Sequence, residues 1–285
     1  MLGLLAARSH VSAQIQVTAQ TQRSNFLLYE PVDVLVNIQN MGDTDLVLNN
    51  DEAHPWLSFL VSKHTQHNRF PIRQERKGNF KSLTLKAGEN KTLRINITPY
   101  YSFREEGDFE ASAVVDLPGQ GQVISDPVPF TVLNGHKIWT QSRPVDGSQR
   151  IYSLIRFSPQ PDSTKLYLRV EGPTENIVYA NLALGEMVSF VDPGVLFDPQ
   201  GDIHVLQPIA LGTYLYTRAN ADGKVQHQAI FKTFHEVPPR LAKVEDGNVI
   251  INGGAEDNPN TPRERLSDTQ GVTTPSATQQ NGTMR

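Results

Sequence analysis

Among the residues that could do chemistry the histidines come first, because His64-Thr65-Gln66-His67 sets a pair of imidazoles three positions apart. A helix would bring such a pair onto one face as metal ligands, whereas a strand turns them to opposite faces. The preceding residues 56–61 read as a strand, so ordinary solvated histidines are the plainer reading and no metal is assigned. His204 lies between Ile203 and Val205. It reads as a side chain facing a neighbouring strand, with Asp202 as a candidate partner, rather than as a general base.

Oxygen ligands crowd one loop at Asp43, Asp45, Asn50 and Asp51, which raises Ca²⁺. The spacing lacks both the glycine at the sixth position and the terminal glutamate of an EF-hand loop. Asp198, Asp202 and Asp246 fit turn residues whose carboxylates accept local backbone N–H groups. Gly-x-Ser-x-Gly, Ser-x-x-Lys and His-Glu-x-x-His do not occur, nor does a glycine-rich phosphate loop. The absence of cysteine removes disulfides, thiolate metal sites and cysteine nucleophiles together. Glu105 with Glu106, or Glu236 with a distant aspartate, could still converge as paired carboxylates, but nothing in the spacing requires it. The chain is read as noncatalytic and without a cofactor.

The most suggestive surface is the loop 63–81, where Arg69, Arg73, Arg76, Lys77 and Lys81 stand among Phe70 and Phe80 with Glu75 against them. Such a loop suits an acidic glycan, a phosphate backbone or an acidic protein partner. The alternative is a solvated, charge-rich loop that blunts a sheet edge. Tyr100 and Tyr101 could share its face.

The elements that must position these residues are strands. In residues 29–48, Val32, Val34, Val36 and Ile38 fall at every second position, Leu35 disturbs the alternation mildly, and Asn40-Met41-Gly42-Asp43 supplies a turn before Leu46 and Leu48 restart the period. Gly42 is free to take positive φ there. This predicts a strand, a turn and a paired second strand. A similar pair is predicted at Leu83-Thr84-Leu85 and residues 92–97, across Ala87-Gly88-Glu89-Asn90. Further strands are expected at Ile15 to Ala19, at 26–28, at 56–61, at 107–115 and at 127–132. About eight short strands with turn signals every 8 to 12 residues predict an all-β sandwich.

Residues 14–134 resemble the immunoglobulin-like β-sandwich domains of secreted bacterial proteins, including the macroglobulin-like and fibronectin-like varieties. The resemblance is carried by residues 29–48, by the Leu85-Lys86-Ala87-Gly88-Glu89 turn, by Gly107-Asp108-Phe109 entering Ala111-Ser112-Ala113, and by Asp126-Pro127-Val128-Pro129-Phe130-Thr131-Val132. It departs from that pattern at Glu30-Pro31, where many relatives have Gly-Glu, and Phe109 stands where a corner tyrosine is often found. Trp56 is a candidate core tryptophan. Two prolines place the closing strand at a sheet edge or at a strand start.

Asn134-Gly135 marks a boundary, and Arg143-Pro144-Val145-Asp146-Gly147-Ser148 reads as a loop after a strand at 137–140. In the second region, 136–252, a strand–turn–strand pattern recurs at 154–170, 195–206 and 241–251, with a further hairpin across Asn220-Ala221-Asp222-Gly223. The Asp198-x-x-Gly201-Asp202-Ile203-His204 segment is similar to hairpins of β-propeller repeat proteins. The expectation is a smaller antiparallel β-meander or an incomplete propeller-like sheet, able to dock on the first region, followed by a disordered tail over 253–285.

At 285 residues and a formal charge of −4, with an isoelectric point near 6.1, the totals imply no attraction to nucleic acid or to an anionic membrane. No apolar run approaches the ~18 residues of a membrane span. Residues 1–13 read as a truncated signal peptide ending at Val11-Ser12-Ala13, with cleavage before Gln14, or as a frayed cytoplasmic terminus. The expected role is a binding or scaffolding protein, periplasmic or secreted, at the cell envelope. Alternatives are a protease regulator presenting loops from the sandwich, or a hydrolase using residues near Asp198, His204 and His227.

Overall fold

The computed structural model describes residues 15–257 apart from 51–53, 118, 120, 175–176 and 189, and its regular structure is entirely β. The signal-peptide reading of 1–13 and the Asp51 end of the acidic loop lie outside the described residues.

In the first region the strands are β1 (Ile15–Thr21), β2 (Asn25–Leu27), β3 (Asp33–Asn40), β4 (Leu46–Leu48), β5 (Leu57–His64), β6 (Arg69–Pro71), β7 (Leu83–Leu85), β8 (Asn90–Asn96), β9 (Gly107–Leu117), β10 (Gly121–Ile124) and β11 (Val128–Leu133). One sheet runs β1-β3-β8; the facing sheet runs β2-β11-β9-β5-β6, with β10 also paired to β9. Val32, Val34, Val36 and Ile38 are at most 1% exposed, and the residues between them face outward. Burial of each contributes roughly 1.5–3 kcal/mol, which is why the alternation fixes the face. Trp56, Phe59, Phe103, Phe109 and Phe130 complete the core between the sheets.

The predicted pairing within 29–48 is corrected. Strand β3 pairs with β1 and β8, and β4 pairs with β7. The Asn40–Asp45 segment is a corner in a long arm, not the turn of a hairpin, and 86–89 is the matching corner in the returning arm. Asn40, 1% exposed, holds both corners: its Nδ2 donates to the carbonyls of Thr44, Leu85 and Lys86, and its Oδ1 accepts the Gly42 N–H. With that acceptor in place, Gly42 has no need of the positive φ expected for it and does not adopt it. The closing strand is also corrected. Strand β11 lies between β2 and β9, but β2 reaches only Thr131 to Leu133, so the half that carries Pro129 has a single neighbour.

The second region contains β12 (His136–Val145), β13 (Ser148–Gln160), β14 (Ser163–Glu171), β15 (Val178–Glu186), β16 (Gly194–Phe197), β17 (Ile203–Ala210), β18 (Thr213–Ala219), β19 (Val225–Lys232), β20 (Arg240–Lys243), β21 (Val249–Asn252) and β22 (Ala255–Glu256). Strands β12 to β15 form one meander, β16 to β19 a second with β22 added at its edge, and β20-β21 a hairpin. The repeat predicted from 154–170 was displaced by one strand. The counterpart of the β16–β17 hairpin is β12–β13, whose Asp146-Gly147 turn joins Val145 to Ser148 with φ of 49° and 76°. That is a two-residue hairpin where a loop was expected.

The two middle strands of the first meander, β13 and β14, are buried on both faces. Tyr152, Leu154, Leu168 and Val170 meet Phe197, Ile203 and Val205 of the second meander. Ile155, Phe157 and Tyr167, on the opposite face, meet Leu27 of the first region. At that seam the Tyr167 hydroxyl donates to Glu30 at 2.8 Å, Arg23 pairs with Glu30 at 2.5 Å, and Arg169 donates to the Leu28 carbonyl at 2.8 Å. Burial first, and the adjacent Glu30 carboxylate next, push the Tyr167 hydroxyl well up. The tail expectation is corrected at its start: Ala255 and Glu256 pair with Lys232 and Phe231. The remainder, from 258, lies outside the described residues.

Candidate functional site: a cleft on the outer face of the first region

Strands β5 and β9 are antiparallel neighbours with Leu60 opposite Ser112 and Ser62 opposite Glu110, which puts these side chains on the outer face while Phe59, Val61, Ala111 and Ala113 fill the core. After the turn Thr65 to Asn68, β6 folds back onto Ser62, Lys63 and His64. Its continuation through Ile72 and Gln74 walls a cleft of about 510 Å³ floored by Leu60, Ser62, Glu110 and Ser112. Tyr101 closes the inner end by donating its hydroxyl to the Phe59 carbonyl, which would otherwise point off the sheet edge.

Glu110 organises the polar end. Its carboxylate, only 12% exposed, accepts from the Ser62 hydroxyl at 3.0 Å and from Arg69 Nη2 at 2.9 Å, with Arg69 Nη1 at 2.7 Å as an ion-pair contact. His64 Nε2 lies 3.0 Å from the same carboxylate as an ion-pair contact outside hydrogen-bond alignment. An arginine whose two terminal nitrogens face the two carboxylate oxygens offsets part of the desolvation of a largely buried charge.

Of the residues singled out in loop 63–81, the structure brings Arg69 into this cleft, whereas Phe70, opposite Lys63 and 51% exposed, turns to the other face of the sheet. Arg73, Arg76, Lys77 and Lys81 sit on the exposed loop that follows. Phe80 turns inward, packing edge-on to Trp56 at 6.4 Å and against Tyr100 at 5.7 Å. Tyr101 is likewise core and not part of the basic face. The loop is pinned by the Glu75 N–H on the Tyr100 carbonyl and by the Trp56 indole N–H on the Lys81 carbonyl. Asn50, weighed as an oxygen ligand, spends its side chain on Asn79, the Phe80 carbonyl and the Trp56 N–H. The reading missed Leu60, Ser62, Glu110 and Ser112. Glu110, a carboxylate between Phe109 and Ala111 in a strongly apolar strand, was the available signal.

In the second region the partner of His204 is Asp198, not Asp202. His204 Nε2 lies 3.0 Å from Asp198 Oδ2, and Nδ1 lies 2.8 Å from the Tyr216 hydroxyl. Burial pushes the Asp198 carboxyl up, but the hydrogen bonds from His204 and from the Asp202 N–H outweigh it and hold the group below its ordinary 3.8. His204 is 3% and Asp198 7% exposed, and neither lines the cleft over β5 and β9. His227 stacks edge-on to Tyr216 at the surface. Among the described residues no group of three or more histidine, aspartate or glutamate side chains is placed to hold a metal ion, and no helix is long and apolar enough to cross a membrane.

No family model and no curated protein matches the sequence. Among solved structures, the chain is similar to the sporulation control protein Spo0M from Bacillus subtilis at 9% identity and a TM-score of 0.30, over 56% of this chain and 80% of that one. It is similar to the YadV chaperone at 12% identity and a TM-score of 0.23, over 85% and 99%. It is also similar to the CsuC-CsuE chaperone–tip adhesion subunit pre-assembly complex of the archaic chaperone-usher Csu pili of Acinetobacter baumannii, at 14% identity and a TM-score of 0.23, over 50% and 81%. These identities are too low to carry a function across.

Proposed function

We propose that the chain is a noncatalytic binding or scaffolding protein of the cell envelope, and that it engages a protein or acidic-glycan partner through the outer face of β5, β6 and β9. The observation that carries this reading is the cleft: its Ser62, Arg69 and Glu110 side chains are matched to one another, so what it offers a partner is shape and the apolar surface of Leu60, 58% exposed, with Pro71 and Ile72 also in its lining. The Asp198–His204–Tyr216 chain supports the same reading. Nε2 faces the Asp198 carboxylate and Nδ1 the Tyr216 hydroxyl, so both ring nitrogens are committed inside the protein. A periplasmic or secreted location is proposed from Val11-Ser12-Ala13-Gln14.

The test is co-sedimentation of the purified chain with cell-envelope fractions, comparing wild type, Leu60→Asp and charge reversal at Arg73, Arg76 and Lys77. Leu60→Asp changes an exposed side chain and should fold normally by circular dichroism. It is expected to weaken binding at least about tenfold. Unchanged binding for that variant would remove the cleft from the proposal, and unchanged binding for the charge reversal would remove the basic loop. Inhibition of a protease panel by wild type would favour the regulator reading.

A further inference from the structure

The successive units of the second region bring their first strands together. Strand β12 meets β16 through Trp139 and Phe197, whose rings are 6.2 Å apart, and Leu241 of β20 lies against Gly194 of β16. Between them is a cleft of about 300 Å³, walled by Ser142, Arg143 and Pro144 on one side, Val195 and Phe197 on the other, and Lys243 at the end. That volume is at the small end of ligand sites.

The lining has a single sign of charge. Arg143 and Lys243 both face the cleft, no carboxylate lines it, and neither cation has an acidic partner among the described residues. Arg143 is already positioned, because its guanidinium lies 4.6 Å above the ring of Phe197, which is 4% exposed and fixed by Tyr152 at 4.9 Å. A cation held by stacking keeps its in-plane N–H donors for a ligand.

The backbone adds donors. The two-residue turn makes Val145 and Ser148 the hydrogen-bonded pair that closes the β12–β13 hairpin, so Arg143 and Gln141 bond to β13 and the backbone of Ser142 points away. The Asp198 N–H bonds to the Asp202 carbonyl, so by the same alternation Leu196 and Gly194 bond to β17 while Val195 and Phe197 point away. Both strands are sheet edges. Each of these residues presents its C=O beside its N–H along the free edge, so the positive sign of the recess comes from the stacked arginine and the lysine over an aromatic floor, with the edge N–H groups as additional donors.

We propose that this cleft binds a small anionic ligand carrying a carboxylate or phosphate group, with Arg143 and Lys243 as its charge partners and the N–H groups of Ser142, Val195 and Phe197 as neutral donors. The test is titration of inorganic phosphate, and separately of succinate, into the ¹⁵N-labelled full chain, read by amide and arginine side-chain shifts. Saturable shifts confined to 141–144, 195–197 and 243 are expected, strongest at the Arg143 Nε–H, and the more effective probe identifies the ligand chemistry. Lys243→Gln, an exposed change that leaves the fold intact, should weaken saturation by at least about fivefold. Arg143→Gln should weaken it at least about tenfold, with partial rescue by Arg143→Lys. Shifts spread equally over Arg73, Arg76 and Arg104, or saturation unaltered in Lys243→Gln, would overturn the proposal.

Discussion

At the scale of the residue, the informative positions are polar groups placed among apolar ones. Tyr101, 2% exposed, spends its hydroxyl on the Phe59 carbonyl, and burial pushes its pKa up from 10.0 to about 12. Because the folded value lies above the unfolded one, the stability tied to the neutral phenol is fully present below pH 10 and is lost as pH rises through about 12. Tyr101→Phe should therefore cost about 0.5–1.5 kcal/mol at neutral pH and show a shallower alkaline decline than wild type, both read from urea unfolding. Glu110 behaves differently, since its loss strands Ser62 and Arg69 around an empty acceptor. Glu110→Ala should destabilise by about 1–3 kcal/mol, whereas Arg69→Ala, whose side chain is 60% exposed, should cost under about 1 kcal/mol. Equal effects would mean that the carboxylate is not the organising member.

At the scale of the element, the corner held by Asn40 predicts that Asn40→Ala lowers the denaturant midpoint by the equivalent of about 1–3 kcal/mol, because the carbonyls of Thr44, Leu85 and Lys86 all lose their donor. The positive φ of Gly147 predicts a cost of about 1–2 kcal/mol for Gly147→Val, which a thermal melt would register. These elements also show what was legible in the sequence. The alternation of Val32, Val34, Val36 and Ile38 declared a buried face, because period and burial are the same fact in a strand. It could not declare the partner: Gly42 looked like a hairpin turn, yet the donors of Asn40 join two arms separated by some forty residues of chain. The basic loop was visible as composition. The cleft was not, since it depends on Leu60 meeting Ser112 and Ser62 meeting Glu110 across a register that only the folded sheet specifies. Asp146-Gly147, which reads as part of a loop, closes a two-residue hairpin, and Pro144 is tolerated in its strand because it faces the free edge, where no donor is needed.

At the scale of the whole molecule, the seam between the regions is built like a core and a polar lock together. Arg169, 4% exposed, donates to the Leu28 carbonyl and lies 5.0 Å from the Tyr29 ring, while Tyr167 and Arg23 share Glu30. Gly135, at φ 71°, leaves no room for a β-carbon, which would meet Ile155 at 2.7 Å and Leu27 at 2.9 Å. Calorimetry should accordingly show one cooperative transition for wild type and two for Arg169→Ala or Gly135→Ala; a single unshifted transition in both variants would mean that the regions are energetically independent. Strand β13 passes through the middle of this assembly with even-numbered Tyr152 and Leu154 serving one neighbour and odd-numbered Ile155 and Phe157 the other. One inserted residue would exchange the two sets, delivering each to the wrong side. In a library of single-residue insertions, the loop 73–79 should accept added length, whereas β13 should reject it at every position between Tyr152 and Phe157, so in any lineage of this fold that strand is the place where length cannot drift.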